Sequence, residues 1–440
     1  MLEAIQKNLK RLLVAALRLE ARGVIARYRP RIVAVTGSVG KTSTKDAIFS
    51  VLAADNHVRK SQKSFNSEIG LPLTVLGRPN PWKNPLRWAQ NLLDGLFLLV
   101  FRAPYPQWLV LEVGADRPGD ISQVARWLPV DVAVITRLPE VPVHVEFFSS
   151  ADEVVKEKAA LIGALKNLPA GREGTVVLYG DDARVEEFKV LAGDARVITF
   201  GLSEAAQVRA HGAEPFFDAG ARWPAGMRAA VTFGGESASL EVCGAVGAHT
   251  LLPGLAALAV GAALGKPLSG AAAALHAYVP PPGRMHLIEG ARGSLIIDDT
   301  YNSSPAAVEA GLETLRGINA GRRIAVLGDM LELGRHSVEE HRKAGVLAAS
   351  CADMLVTVGF RARDTAQGAL EAGMSSDAVL QFEDARAAGE RLSGLLQEGD
   401  CVFVKGSQGI RLERAVEKIM AHPERAKELL VRQEREWKKR

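Results

Sequence analysis

The sequence predicts an α/β protein of two doubly wound units, a P-loop central domain with a mostly parallel sheet and a C-terminal Rossmann-like domain. Three observations predict it. Short β-branched runs alternate with helix-length stretches along most of the 440 residues, a pattern that lays helices on both faces of a parallel sheet. A turn with Gly37 and Gly40 joins the first such run to the first helix of the series. A run of three prolines at 280–282 with Gly283 divides the series in two, because proline fixes φ and carries no backbone donor.

The elements follow in order. Residues 1–30 carry apolar positions at helical spacing (Leu9, Leu12, Leu13, Ala16, Leu17, Leu19) and predict a basic amphipathic helix. Residues 31–280 form the central domain. In it 32–36, 108–113, 130–136, 175–179 and 196–200 read as buried strands and 42–53 as a helix. Between 201 and 247 the chain is rich in Gly and Ala, and 231–233 with 238–242 predict a small antiparallel excursion before an Ala/Leu-rich helix near 255–264. Residues 284–420 form the second unit, with strands at 294–297, 323–327, 354–358 and 401–404, at an ordinary domain size. Residues 421–440 read as a basic terminal helix.

Composition narrows the function classes. Lys plus Arg number 54 against 50 Asp plus Glu, an excess of only +4, too small to indicate nucleic acid. Cys243, Cys351 and Cys401 lie far apart without metal-ligand spacing. They fit a reducing compartment, each as a small buried hydrophobe. No apolar core followed by a small-residue cleavage site opens the chain, and the most apolar window, 95–101, is far shorter than a spanning helix. A cytoplasmic monomer is expected. Through Arg31 the chain carries eight basic and two acidic residues. Such a helix can lie on an anionic membrane surface or pack on the following domain with its charges in water, and packing is the expectation.

The chemistry begins at Thr36-Gly37-Ser38-Val39-Gly40-Lys41-Thr42-Ser43. Glycines here let backbone N–H groups curl towards a phosphate, Lys41 supplies a charge for the β and γ phosphates, and Thr42 a hydroxyl for Mg²⁺. The usual pattern has glycine at 35, where this chain has Val35. Strand–loop–helix context carries the assignment instead. A phosphate loop alone fits kinases, GTPases, motor ATPases and ligases equally.

Further blocks follow in order: KSFNSEIGLPLTVL at 63–76, LEVGADRPGDI at 111–121, DDTYNSSP at 298–305, VLGDMLELG at 326–334 and VKGSQGIRLE at 404–413. With the loop TGSVGKTSTK they resemble the Mur ligase family over residues 31–420, and most closely its branch that adds a D-Ala-D-Ala dipeptide. The resemblance implies an ATP-dependent, ADP-forming amide ligase of peptidoglycan synthesis. In that reaction a carboxylate takes the γ-phosphoryl group to form an acyl phosphate, and an amine then displaces phosphate. The partners implied are a small cell-wall precursor resembling UDP-N-acetylmuramoyl-tripeptide and a D-Ala-D-Ala-like amine.

Residue roles come from the same resemblance. Glu112, at a strand end, matches the family's metal-binding glutamate. His144, in the run 142–148, matches its metal-site histidine, although Mg²⁺ prefers oxygen and a lone histidine is more often structural. Lys158 aligns with a lysine that the family carbamylates, giving an anion for a second Mg²⁺; read alone, Lys156 and Lys158 are two surface lysines on a helix. Gly37, Ser38, Gly40, Lys41, Thr42, Ser43, Arg284, Asp299, Tyr301 and Asn302 are implied for ATP. Asn66, Ser67, Lys405, Ser407 and Arg411 are implied for substrate. Asp298 and Asp299 could instead cap a helix starting near Ser303, and Asp329 and Glu332 are expected to shape their loop.

The chain also departs from the family. About 30 residues stand where the family's UDP-gripping N-terminal domain is expected. Residues 78–107, with Trp82 and Trp88, exceed the family loop. Arg137 replaces an asparagine and about two residues are inserted before His144. Tyr179, Thr250 and Pro253 alter the nucleotide contacts. Two alternatives stay open on the sequence: a Mur-type ligase with a muropeptide or lipid-linked donor, and a non-catalytic nucleotide-dependent binding protein.

Overall fold

The computed structural model describes residues 2–62, 65–81, 84–434 and 437. Trp82, the Lys63 and Ser64 that open the 63–76 block, the side chain of Leu9 and most of residues 435–440 lie outside the described set. Nine strands make the first sheet: β1 (Arg31–Thr36), β2 (Val58–Lys60), β3 (Trp108–Glu112), β4 (Val132–Ile135), β5 (Thr175–Tyr179), β6 (Arg196–Gly201), β7 (Val208–Phe216), β8 (Gly226–Phe233) and β9 (Glu236–Cys243), in the order β2-β3-β1-β4-β5-β6-β7-β8-β9. Pairing is parallel from β2 to β7 and antiparallel across β7-β8-β9. The second sheet holds β10 (His286–Glu289), β11 (Leu295–Asp299), β12 (Arg322–Gly328), β13 (Met354–Val358), β14 (Val379–Phe382) and β15 (Asp400–Lys405), in the order β10-β11-β15-β12-β13-β14. Only β10 runs antiparallel to its neighbour.

These orders position the site. From β1 the chain turns to β3 on one side and later to β4 on the other, so a crevice opens at the carboxyl ends of β1, β3 and β4, where ligands collect in open α/β sheets. β1 is buried at every position after Arg31, as its unbroken apolar run requires of a strand covered on both faces.

Several expectations are corrected. The antiparallel excursion is three long strands, not two short pieces, because β8 alternates small residues between a buried and an exposed face and so lacks a strong apolar signature. Residues 78–107 are not a long loop. They contain the helix Pro85–Val100, with Pro85 in its first turn and Asn84 Oδ1 accepting the Arg87 N–H at 3.2 Å. Among its described residues the tail shows single helical turns at Pro423–Arg425 and Ala426–Leu429 and no continuous helix through 434. It is held down by the Ala421 N–H donating to Glu289 O at 2.9 Å. Cys351 and Cys401 are buried, but Cys243, at the outward end of β9, is exposed.

We label α1 (Leu2–Tyr28), α2 (Lys41–Ala53), α3 (Gly70–Leu76), α4 (Pro85–Val100), α5 (Asp120–Ala125) and α6 (Ala151–Ala159). Helix α1 docks: Leu17, Ala21 and Val24 are fully buried in one cluster with Leu71, Leu73 and Leu98. Glu20 lies at the α1–α4 contact. A Cβ on Gly95 would come within 2.1 Å of its Oε2, and that oxygen is buried without a hydrogen-bond partner. Burial pushes the Glu20 carboxyl up to about 7 from 4.5. A carboxyl raised on folding is penalised as it ionises, so the protein loses stability as pH rises between these values. We expect Glu20→Gln to raise the melting temperature at pH 7.5 by about 2 °C or more and to leave it nearly unchanged at pH 4.5. A gain equal at both pH values would contradict this.

Candidate active site

The phosphate loop is built by close approach. At Gly37, φ is +139° and a Cβ would lie 2.0 Å from Thr136 Oγ1, so the loop can lie against the end of β4 only with glycine there. The Ser38 and Val39 N–H groups donate to Arg137 O at 3.1 and 3.3 Å. Two amides expected to face a phosphate thus pin the loop to the β4 exit. The first N–H groups of α2, which have no intrahelical acceptor, remain for an anion. Lys41 Nζ folds back onto Gly37 O at 2.9 Å and Ser38 O at 3.4 Å. Burial lowers its pKa, while nearby Glu112 acts to raise it.

Glu112 ends β3 at 2% exposure. Its Oε1 accepts from Asn66 Nδ2 at 3.4 Å, and its Oε2 is buried with no partner. An orphaned carboxylate oxygen beside Thr42 suits a hard cation. Among the described residues no group of three or more His, Cys, Asp or Glu could hold a metal. An ion here would therefore share Thr42, Glu112 and His144 with phosphate oxygens and water. Ser67 does not reach the cavity; its Oγ accepts from the Gly70 N–H at 3.3 Å at the start of α3.

Lys156 is exposed, whereas Lys158 is fully buried beneath the loop. Lys158 Nζ donates to Gly37 O at 3.2 Å, the same carbonyl that Lys41 uses. Burial, and then the adjacent Lys41 charge, hold its pKa well below the ordinary lysine value. Neighbouring Glu157 is structural. Its Oε1 accepts the Ile121 and Ser122 N–H groups at 2.6 and 2.8 Å at the start of α5.

His144 sits in a left-handed turn at φ +69°. Its Nδ1 lies 2.6 Å from Glu332 Oε2 and its Nε2 lies 3.7 Å from Asp116 Oδ1. Glu332, expected only to shape its loop, is thus a contact from the second unit to the histidine expected at a metal site, and the adjacent His144 lowers its pKa. Asp329 does shape the loop, with Oδ1 accepting the Ala362 N–H at 2.8 Å. Because Glu332 occupies Nδ1, Nε2 is the nitrogen left for a cation. We expect Glu332→Gln to raise the Mg²⁺ concentration for half-maximal rate on the order of tenfold or more. An unchanged Mg²⁺ titration would remove Glu332 from this role.

The second unit supplies the opposite wall. Asp299 ends β11 beside Lys405 of β15. Its Oδ2 accepts from Lys405 Nζ at 2.5 Å and its Oδ1 from the Met285 N–H at 3.2 Å. Neither acid caps the following helix, which begins at Pro305 behind Ser304. Asp298 Oδ1 instead accepts the Thr300 N–H at 3.1 Å. Burial raises the Asp298 carboxyl to about 7. Arg284 stacks on Tyr301, its Cζ 4.1 Å from the ring centroid, and keeps a buried Nε without a partner. Lys405 Nζ also donates to Asn302 O at 2.8 Å, and Ser407 Oγ accepts the Leu331 N–H at 2.8 Å. Arg411 is held by Glu413 Oε1 at 2.5 Å and donates to Trp437 O at 3.1 Å.

These walls enclose one cavity of about 880 Å³. It brings together Ser38, Gly40, Lys41, Thr42, Ser43, Asn66, Glu112, His144, Arg284, Asp299, Tyr301, Asn302, Lys405, Ser407 and Arg411; Gly37, Ser67 and Lys158 stand outside its surface. Tyr179, Phe200, His249 and Pro253 also line it, and the Tyr179 and Phe200 rings pack together with centroids 5.8 Å apart, ring surface of the kind that suits a base. His249 is kept neutral by burial, at about 4. Sequence reasoning missed Asp116, Tyr278 and Trp437 on the wall. Asp116 stood inside a recognised block and could have been selected, but no local signal marks Tyr278 or Trp437.

Residues 95–260 match the model of the Mur ligase middle domain, and residues 283–408 that of the Mur ligase, glutamate ligase domain. The UDP-N-acetylmuramoyl-tripeptide–D-alanyl-D-alanine ligase of Mycobacterium tuberculosis (strain CDC 1551 / Oshkosh) is 32% identical over 416 residues, covering 89% of this chain and 73% of that protein. The Bacillus subtilis ligase of the same name is 27% identical over 420 residues, covering 93% and 80%. The MurF ligase of Thermotoga maritima, solved with ADP, superposes with a TM-score of 0.73 at 26% identity over 92% of this chain and 83% of that one. MurF of Acinetobacter baumannii superposes at 0.75 with 24% identity over 92% and 79%, a likeness of fold.

Proposed function

The chain belongs to the Mur ligase family, and from that premise we propose that it joins D-alanyl-D-alanine to a UDP-N-acetylmuramoyl-tripeptide-like cell-wall precursor. It is an ATP-dependent, ADP-forming acid–amino-acid ligase. The observation that carries this reading is a single cavity holding the phosphate loop, the orphaned Glu112 carboxylate and His144 on one wall, and Arg284, Asp299 and Lys405 on the other.

In the first step a precursor carboxylate oxygen attacks the γ-phosphorus and ADP leaves, giving an acyl phosphate. Lys41 and the start of α2 hold the phosphates in line, and Arg284 offers its free Nε from across the cavity. In the second step the dipeptide nitrogen attacks the acyl carbon, phosphate leaves and the nitrogen loses a proton. Asn66, Lys405, Ser407 and Arg411 orient the reacting ends. Mg²⁺, held by Thr42, Glu112 and His144, would neutralise charge on the transferring phosphoryl group. A carbamate on Lys158 for a second ion belongs to the same reading. It is supported by the low pKa of that buried amine, which must be uncharged to add CO₂. Residues 31–280 then bind ATP, and residues 284–420 close the site. The enzyme acts as a cytoplasmic monomer, with α1 available for peripheral membrane contact. Among the described residues no helix is long and apolar enough to cross a membrane.

Phosphate release with ATP, Mg²⁺, UDP-N-acetylmuramoyl-tripeptide and D-Ala-D-Ala tests the proposal, with each component omitted in turn and the product weighed by mass spectrometry. Release that requires both precursor and dipeptide, with a product heavier by the dipeptide less water, is expected. Release indifferent to the dipeptide, or a higher kcat/KM with a donor lacking UDP, would overturn it.

A further inference from the structure

Helices α1 and α4 lie side by side and run in the same direction. Glu20 meets Gly95, Gly23 meets Leu99, and Tyr28 Oη donates to Leu98 O and Phe101 O, both at 3.2 Å. Both press one edge into the domain, through Leu17, Ala21 and Val24 on α1 and Asn91, Gly95 and Leu98 on α4. At 100° per residue the opposite edges carry Leu12 and Leu19 on α1, and Leu86, Leu93, Phe97 and Val100 on α4. These six side chains are between 51% and 80% exposed. Parallel helices that bury the same side present these two rows to the same side of the molecule. The result is a continuous outward apolar face, and such faces mark interaction sites.

Arginines fringe this face. Arg11, Arg18, Arg22, Arg87 and Arg102 are exposed, while the two acids of the pair with described side chains turn away from the face. Glu20 is part-buried at the contact, and Asp94 pairs with Arg78 at 2.9 Å. We propose that this two-helix face lies flat on an anionic lipid bilayer, its apolar rows sunk to the acyl boundary and its arginines at headgroup level. Neither helix is suited to spanning: α4, with 16 residues, reaches about 24 Å at ~1.5 Å per residue against a hydrocarbon core of about 30 Å, and among the described residues no helix is both long and apolar enough to cross a membrane. A second copy of the chain fits less well, because a two-fold contact would set the arginine fringe against itself. The Lys10–Glu68 ion pair at 2.8 Å ties this layer to the segment that carries Asn66.

The test is vesicle flotation of the full chain, which reads this face independently of ligase activity. We expect binding to phosphatidylcholine vesicles containing phosphatidylglycerol, little binding to pure phosphatidylcholine, and weakening by salt. Neutralising Arg11, Arg18 and Arg22 together to Gln should weaken binding on the order of 100-fold. Leu93→Ser with Phe97→Ser should weaken it on the order of tenfold or more and leave phosphate release from soluble substrates unchanged. Equal binding to both vesicle types, no binding to the anionic ones, or binding unmoved by either variant would overturn the proposal. So would a dimer in light scattering that Leu93→Ser with Phe97→Ser dissolves, which would assign the face to a second copy.

Discussion

Lys41→Ala should abolish turnover, by on the order of 10³-fold or more, while the protein stays folded. Lys41 stands at the opening of α2, and among the described residues its Nζ is held by the carbonyls of Gly37 and Ser38. A γ-phosphate can draw it out at the loss of two backbone contacts. The charge is partly desolvated before ATP arrives, so its attraction to phosphate is stronger than that of a surface lysine. No apolar packing depends on it, and its loss also relieves Lys158 of a neighbouring charge. Phosphate release measured beside thermal unfolding checks both halves. Near-normal ATP consumption by a soluble variant would defeat the assignment.

The second large effect is expected at Lys158. Lys158→Ala should lose activity on the order of 100-fold or more, and acetate should restore part of it by occupying the space of the proposed carbamate. Lys41 and Lys158 share the Gly37 carbonyl. Two ammonium groups cannot be buried there together, and the fully enclosed one is the one driven towards the free amine. Addition of CO₂ would replace that amine by an anion, turning repulsion from Lys41 into attraction. Rates with and without acetate, compared with a chloride control at equal ionic strength, check this. Full activity of the unsupplemented variant would remove Lys158 from the site.

Much of this was legible in the chain because it is local. Strand, glycine turn and helix at 31–53 are set by residues within a few positions of one another, and so are the apolar runs of β3, β4, β12 and β15. The cavity wall follows from them, since Glu112, Asp299 and Lys405 each end such a strand. The antiparallel strands and α4 were not legible. β8 alternates small residues without apolar contrast, and the exposed face of α4 is as apolar as its buried one.

What the sequence by itself determined, then, is the alternation of the parallel strands with their helices and the blocks that carry Lys41, Thr42, Glu112 and Asp299. Tertiary structure alone decided which of two lysines on α6 became the buried one, by laying Lys158 under a carbonyl 121 positions away. It also brought Glu332 to His144 and Trp437 to Arg411. The physical reason is that periodicity is a property of neighbours along the chain. Desolvation and charge pairing instead sum over everything near in space, and that sum does not exist until the chain has closed around it.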